Sequence, residues 1–139
     1  MGQISEGDRK IIAMMVRAEV LQEVDGHRLP TPNGVILVFC GDGDQSIDLL
    51  PENINKIFKG GDRVRPHILA RNGGALLISP ESPLYKAKPA AAEDYLDEIA
   101  ETYDLKDIHT VALYVHAPCG KAGQFNLSFE EIVRLLKLA

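Results

Sequence analysis

Apolar residues in this chain fall into helical stripes and short unbroken runs, separated by turn-forming residues. Ile11, Ile12, Met15, Val16 and Val20 recur at three- and four-residue spacing, which predicts an amphipathic helix. Ser5, with Asp8 three residues on, supplies its N-terminal cap. Asp25-Gly26-His27 and Pro30-Thr31-Pro32-Asn33-Gly34 then break the chain. The run Val35-Ile36-Leu37-Val38-Phe39-Cys40 is apolar throughout, as expected of a parallel strand covered on both faces. Pro51 suits the first turn of a short helix carrying Ile54, Ile57 and Phe58, which Gly60-Gly61-Asp62 ends. Val64 to Ala70 reads as a weaker strand, with Pro66 placing it at an edge or a bend. Asn72-Gly73-Gly74 is a turn, and Ala75 to Ile78 a further short strand.

Ser79-Pro80-Glu81-Ser82-Pro83 reads as loop, and Pro80 to Pro89 as the most mobile segment. A helix over 90–103 follows, with Tyr95, Leu96, Ile99 and Tyr103 on its apolar face. Val111 to Val115 is the second buried strand, and Ser128 with Glu131 forms a capping box for the last helix. This alternation predicts an α/β fold: three layers, α-β-α, with a mostly parallel central sheet.

The length of 139 residues fits a single domain over 1–139, large enough to fold without metal or disulfides. The formal charge of −5, with no basic stripe, argues against a nucleic-acid surface. No segment approaches the roughly 20 apolar residues that cross a bilayer, so no membrane partner is expected. The polar, acidic start lacks the form of a signal peptide, which places the chain in the cytoplasm, where structural disulfides are rare. The two cysteines are therefore read as core thiols, redox thiols or ligands.

Both cysteines follow buried strands, and each precedes a glycine. In open α/β sheets, ligands bind beyond the carboxyl ends of the strands. If the two strands are neighbours, Cys40 and His116 converge there, and Cys119 lies three residues past His116 across a Pro118 turn. Zinc accepts thiolate, imidazole and carboxylate, usually as a tetrahedron. Cys40, His116 and Cys119 would make a Cys2His set for Zn2+. Asp42 would either fill the fourth position or hydrogen-bond to a water there. An open position lets the ion acidify that water for attack on a small electrophile.

These segments resemble the β-class carbonic anhydrases. Cys40-Gly41-Asp42 resembles that family's Cys-x-Asp-x-Arg segment, and His116-Ala117-Pro118-Cys119-Gly120 matches its His-x-x-Cys-Gly segment. Gly61-Asp62 and Arg71-Asn72-Gly73-Gly74 resemble two intervening stretches. The resemblance spans roughly residues 33 to 121. It implies Cys40, His116 and Cys119 as constant metal ligands. It also implies Asp42 as either a fourth ligand or a catalytic group orienting water, and a homodimer that completes the cleft. The substrates it implies are CO2 and bicarbonate, or a related heterocumulene such as carbon disulfide.

The family's arginine, which draws the aspartate off the metal, is matched here by Asp44. Arg71, Lys121 or a partner subunit could supply the missing cation. Two readings therefore stand together: a zinc-dependent lyase or hydrolase, and a catalytically inactive zinc protein of the same fold. A metal-free redox or small-ligand module using Cys40 and Cys119 is the third. Arg71-Asn72-Gly73-Gly74 could hold an anion through successive N–H groups, or be a tight structural turn. His67 and His109 read as structural or surface residues, and Tyr114 as core. No G-x-G-x-x-G or G-x-S-x-G segment is present.

Overall fold

The computed structural model describes residues 4–22, 25–26, 29–42, 51–58 and 64–139. The expectations for Asp44 and for the Gly60-Gly61-Asp62 stop lie outside these residues. The elements in chain order are α1 (Glu6–Arg17), β1 (Val35–Phe39), α2 (Pro51–Ile57), β2 (Pro66–Ala70), a 3-10 turn (Gly74–Leu77), α3 (Pro83–Ala87), α4 (Pro89–Lys106), β3 (Val111–Leu113), α5 (Gly120–Gly123) and α6 (Phe129–Leu138).

The described sheet has three strands in the order β2-β1-β3. β1 pairs parallel with both neighbours, Leu37 lying opposite Ile68 on one side and Ala112 on the other. Every residue of β1 is buried, and its side chains divide by parity, as a pleated strand requires. Ile36 and Val38 enter a core with the 3-10 turn, Leu84, Tyr95, Ile132 and Leu135. Val35, Leu37 and Phe39 enter a second core with Ile54, Phe58 and Val64. Helices therefore cover both faces, and the fold is a three-layer α/β arrangement around a parallel sheet.

Both predicted capping boxes are present. The Ser5 side chain accepts from Asp8 N–H at 3.0 Å, and Ser5 N–H donates to the Asp8 carboxylate at 3.1 Å. Ser128 and Glu131 repeat the exchange at 3.2 and 2.7 Å. α1 stops at Arg17, and none of its residues is fully buried; Val16 and Val20 are exposed. In α4 the buried stripe is Ala92, Tyr95 and Thr102, whereas Leu96 and Tyr103 face solvent. The apolar face is therefore rotated from the expected one.

Two expectations are corrected. Residues 75–78 form no strand, because Gly73 (φ 91°) and Gly74 (φ 53°) turn the chain into a 3-10 helix whose four residues are buried. The loop expected over 79–83 ends at Ser82, and the Pro80 to Pro89 stretch, expected as the most mobile segment, contains α3. Ser82 caps α3 by accepting from Leu84 N–H at 3.2 Å, Pro83 opens it, and Leu84 anchors it in the core. No helix is long and apolar enough to cross a membrane among the described residues.

Candidate metal centre

Because β1 and β3 are neighbours, their carboxyl ends emerge side by side. Cys40 follows β1 on the face of Ile36 and Val38, and Cys119 joins the same core. Strict alternation would send His116 to the face of Ala112 and Tyr114. Regular pairing of β3 ends at Leu113, so the chain is free to turn the imidazole inward. The segment from His116 to Cys119 includes a cis Ala117–Pro118 peptide bond. One ligand atom each from Cys40, His116 and Cys119 lies within 4.8 Å of the other two. Both cysteines are free thiols and buried.

The Arg71-to-Gly74 turn forms the wall behind Cys40. Arg71 N–H donates to Phe39 O at 3.1 Å, and Ala75 N–H to Tyr114 O at 3.3 Å, so the turn is tied to the ends of β1 and β3. Gly73 N–H donates to Cys40 Sγ at 3.4 Å. The turn singled out for anion holding thus presents its N–H to a potential thiolate. The sulfur acceptor is the part that sequence spacing did not reveal. A Cβ on Gly74 would meet Cys40 N at 2.6 Å, Phe39 C at 2.8 Å and Tyr114 O at 3.0 Å.

The neighbouring Cys119 thiol lowers the Cys40 pKa most; Gly73 N–H, His116 and the Asp42 backbone add to this, and burial opposes it. The neighbouring Cys40 sulfur, together with burial, holds the Cys119 pKa up.

His116 Nε2 is buried and has no hydrogen-bond partner, an unusual state for a buried polar atom. A metal ion would satisfy it. A tetrahedral Cys2His zinc site has ligand atoms about 3.5–3.8 Å apart, from its usual bond lengths. The cluster needs to contract by no more than about 1.3 Å to reach that size. Donor chemistry, spacing and the orphaned nitrogen therefore all fit a metal ion of the zinc type. The set resembles a carbonic-anhydrase-type site.

Asp42 is not part of this three-atom cluster. Arg71 and Lys121, the two cations that the sequence offers for it, have other contacts. Arg71 pairs with Glu98 at 2.9 Å, donates to Ala91 O at 3.2 Å and lies 5.0 Å above the Tyr95 ring. Lys121 donates to Gln124 Oε1 at 3.0 Å. Tyr95 is wholly buried, and its hydroxyl donates to Leu69 O; burial pushes its pKa up.

His67 meets Thr102 at 3.4 Å, while His109 pairs with Asp107 at 2.9 Å and stacks on Tyr103. Both histidines have structural partners, and Tyr114 packs against the second core. A cleft of about 270 Å³ beside His116 is lined by Val115, Ala117, Phe129, Ile132 and Leu136. A wider groove of about 860 Å³, lined by Asn33, Arg65, Pro66 and Lys106, lies at the amino end of the strands, away from this chemistry.

Compared with family models, curated proteins and solved structures, the chain matches none.

Proposed function

We propose that Cys40, His116 and Cys119 hold one Zn2+ and that the protein is a zinc-dependent lyase or hydrolase of the β-carbonic-anhydrase kind. Its reaction would be reversible hydration of CO2 or of a related small electrophile. The observation that carries this reading is the convergence of one ligand atom each from Cys40, His116 and Cys119 within 4.8 Å, with His116 Nε2 buried and without a hydrogen-bond partner. Bound zinc would supply a Lewis acid that acidifies water.

The chain's own groups have separable tasks. Two thiolates balance the ion's charge, and a neutral His116 completes the set. Gly73 N–H withdraws charge from Cys40 Sγ, which limits how far the thiolates weaken the Lewis acid. Asp42, two residues past Cys40, would either orient a water at the fourth position or fill that position itself. Val115, Ala117 and Phe129 line an apolar cleft suited to a small uncharged substrate.

Elemental analysis after reducing purification should give equimolar zinc. Stopped-flow CO2 hydration should then separate the wild-type protein from Cys119→Ser. Equal rates in the two would sink the catalytic reading.

A non-catalytic zinc protein is the second reading, favoured by the commitment of Arg71 to Glu98. In the family the sequence resembles, an arginine draws the aspartate off the metal, and here Arg71 is held by Glu98. Stoichiometric zinc with no CO2 hydration would select this second reading.

A further inference from the structure

A separate cleft of about 200 Å³ is bordered by Arg71 and Asn72, and none of Cys40, His116 and Cys119 lines it. Its floor is apolar, made by Leu77, Leu84, Ala91 and Phe125. Its polar rim is Asn72, Lys88 and Lys121, and no carboxylate lines it. In a chain of formal charge −5, a carboxylate-free cleft bordered by lysines is a local reversal of charge.

The rim cations are also uncompensated. Arg71, at the edge, is neutralised by Glu98. Lys121 has only the neutral Gln124 amide and the Phe125 ring, whose centroid is 5.8 Å from its ammonium. Neither Lys88 nor Lys121 forms an ion pair among the described residues. The cleft lies beyond the carboxyl end of β2, the end of a parallel sheet where ligands gather. It is smaller than the roughly 300–1,000 Å³ of a drug-sized site, so its occupant is small.

The geometry points to a binding site for a small organic monocarboxylate with a compact apolar body. The body rests on Leu84, Ala91 and Phe125. The carboxylate accepts hydrogen bonds from the Lys121 and Lys88 ammonium groups and from the Asn72 amide. An inorganic anion would leave the apolar floor wet, and a neutral apolar molecule would leave two lysines without a counter-charge. The site is independent of whether the cysteine-histidine cluster binds zinc.

Benzoate is a suitable probe for the full-length protein, with benzamide as the uncharged analogue and acetate as the analogue lacking the body. NMR titration should give saturable benzoate shifts centred on the amides of Ala87, Ala91 and Phe125. Charge-assisted hydrogen bonds of this kind change affinity by about tenfold or more. Benzamide, and benzoate with Lys121→Met or Lys88→Met, should therefore each bind more weakly by that factor; acetate keeps the charge but loses the apolar burial of the ring, and should weaken by about tenfold or more for that reason. Lys10→Met, in α1 and outside the cleft lining, should bind benzoate as wild type does, and circular dichroism should be unchanged in all three variants. The proposal is overturned by absence of saturable shifts at those amides, by benzamide binding as well as benzoate, or by both lysine variants matching wild type. Benzoate shifts centred on Ala117 and retained in Lys121→Met would place the anion at the metal cluster instead, and would equally overturn it.

Discussion

Gly74→Ala tests how tightly the metal-site turn is held. The backbone there has φ 53°, a region that costs an L-residue with a Cβ about 1–2 kcal/mol. The new methyl would also press on Cys40 N, Phe39 C and Tyr114 O at 2.6, 2.8 and 3.0 Å. These are backbone atoms at the ends of β1 and β3, so no side-chain rotation relieves the overlap. Overpacking of this kind costs about 1–3 kcal/mol.

The sum, about 2–5 kcal/mol, is a large share of a domain's usual stability of about 5–15 kcal/mol. With a urea dependence of about 2 kcal/mol per molar, the unfolding midpoint should fall by about 1–2.5 M. Zinc affinity, read by chelator competition, should weaken as Cys40 is displaced, by about 10–100-fold if the loss matches that of other outer contacts to metal ligands. Gly123→Ala is the control: its Cβ meets nothing within 4 Å, so its midpoint should stay or rise slightly. A Gly74→Ala protein with wild-type midpoint and wild-type metal affinity would refute the account of the turn.

Tyr95→Phe leaves Leu69 O without its buried donor and should lower stability by about 1–2 kcal/mol, seen as a reduced thermal midpoint; an unchanged midpoint would mean that the hydroxyl contributes nothing. The Asp8 pKa is lowered first by the Ser5 hydroxyl, and the Glu131 pKa first by Ser128 N–H. Because both folded values lie below the unfolded ones, the caps contribute fully above the ordinary carboxylate range and lose their contribution as pH falls through the lowered values. Asp8→Asn should therefore flatten the acid-side loss of protection in α1 amides, and an identical pH profile would count against it. Cys40→Ser should retain less than equimolar zinc by elemental analysis, and metal removal by chelator should lower the thermal midpoint of the wild type but not of this variant.

Much of this architecture is written in local pattern. The unbroken run from Val35 to Cys40 specifies a strand with two covered faces, and both cores are there. Ser5-x-x-Asp8 and Ser128-x-x-Glu131 mark helix starts because each cap needs only residues three apart. The failures have the same local origin. Ala75-Leu76-Leu77-Ile78 is a short apolar run, and periodicity cannot separate a strand from a helical turn at that length. The positive φ at Gly73 and Gly74 decides it. The Ser82-Pro83 start of α3 follows standard capping chemistry, but a proline-rich composition masked it. The site divides in the same way. Cys40, His116 and Cys119 could be proposed as a set from their positions after strands. The diversion of Arg71 to Glu98 could not, because it depends on where α4 crosses β2.

The central position of β1 gives the three sulfur and nitrogen donors unequal foundations. Cys40 extends from a strand paired on both sides, whose amides should exchange with solvent only when the whole structure opens. His116 and Cys119 extend from β3, three residues long and, among the described residues, paired on one side only, the kind of element that opens first. An ion shared by these donors would fasten the fraying margin of the sheet to its most protected strand. Metal loading should then slow amide exchange along residues 111–119 far more than along β1.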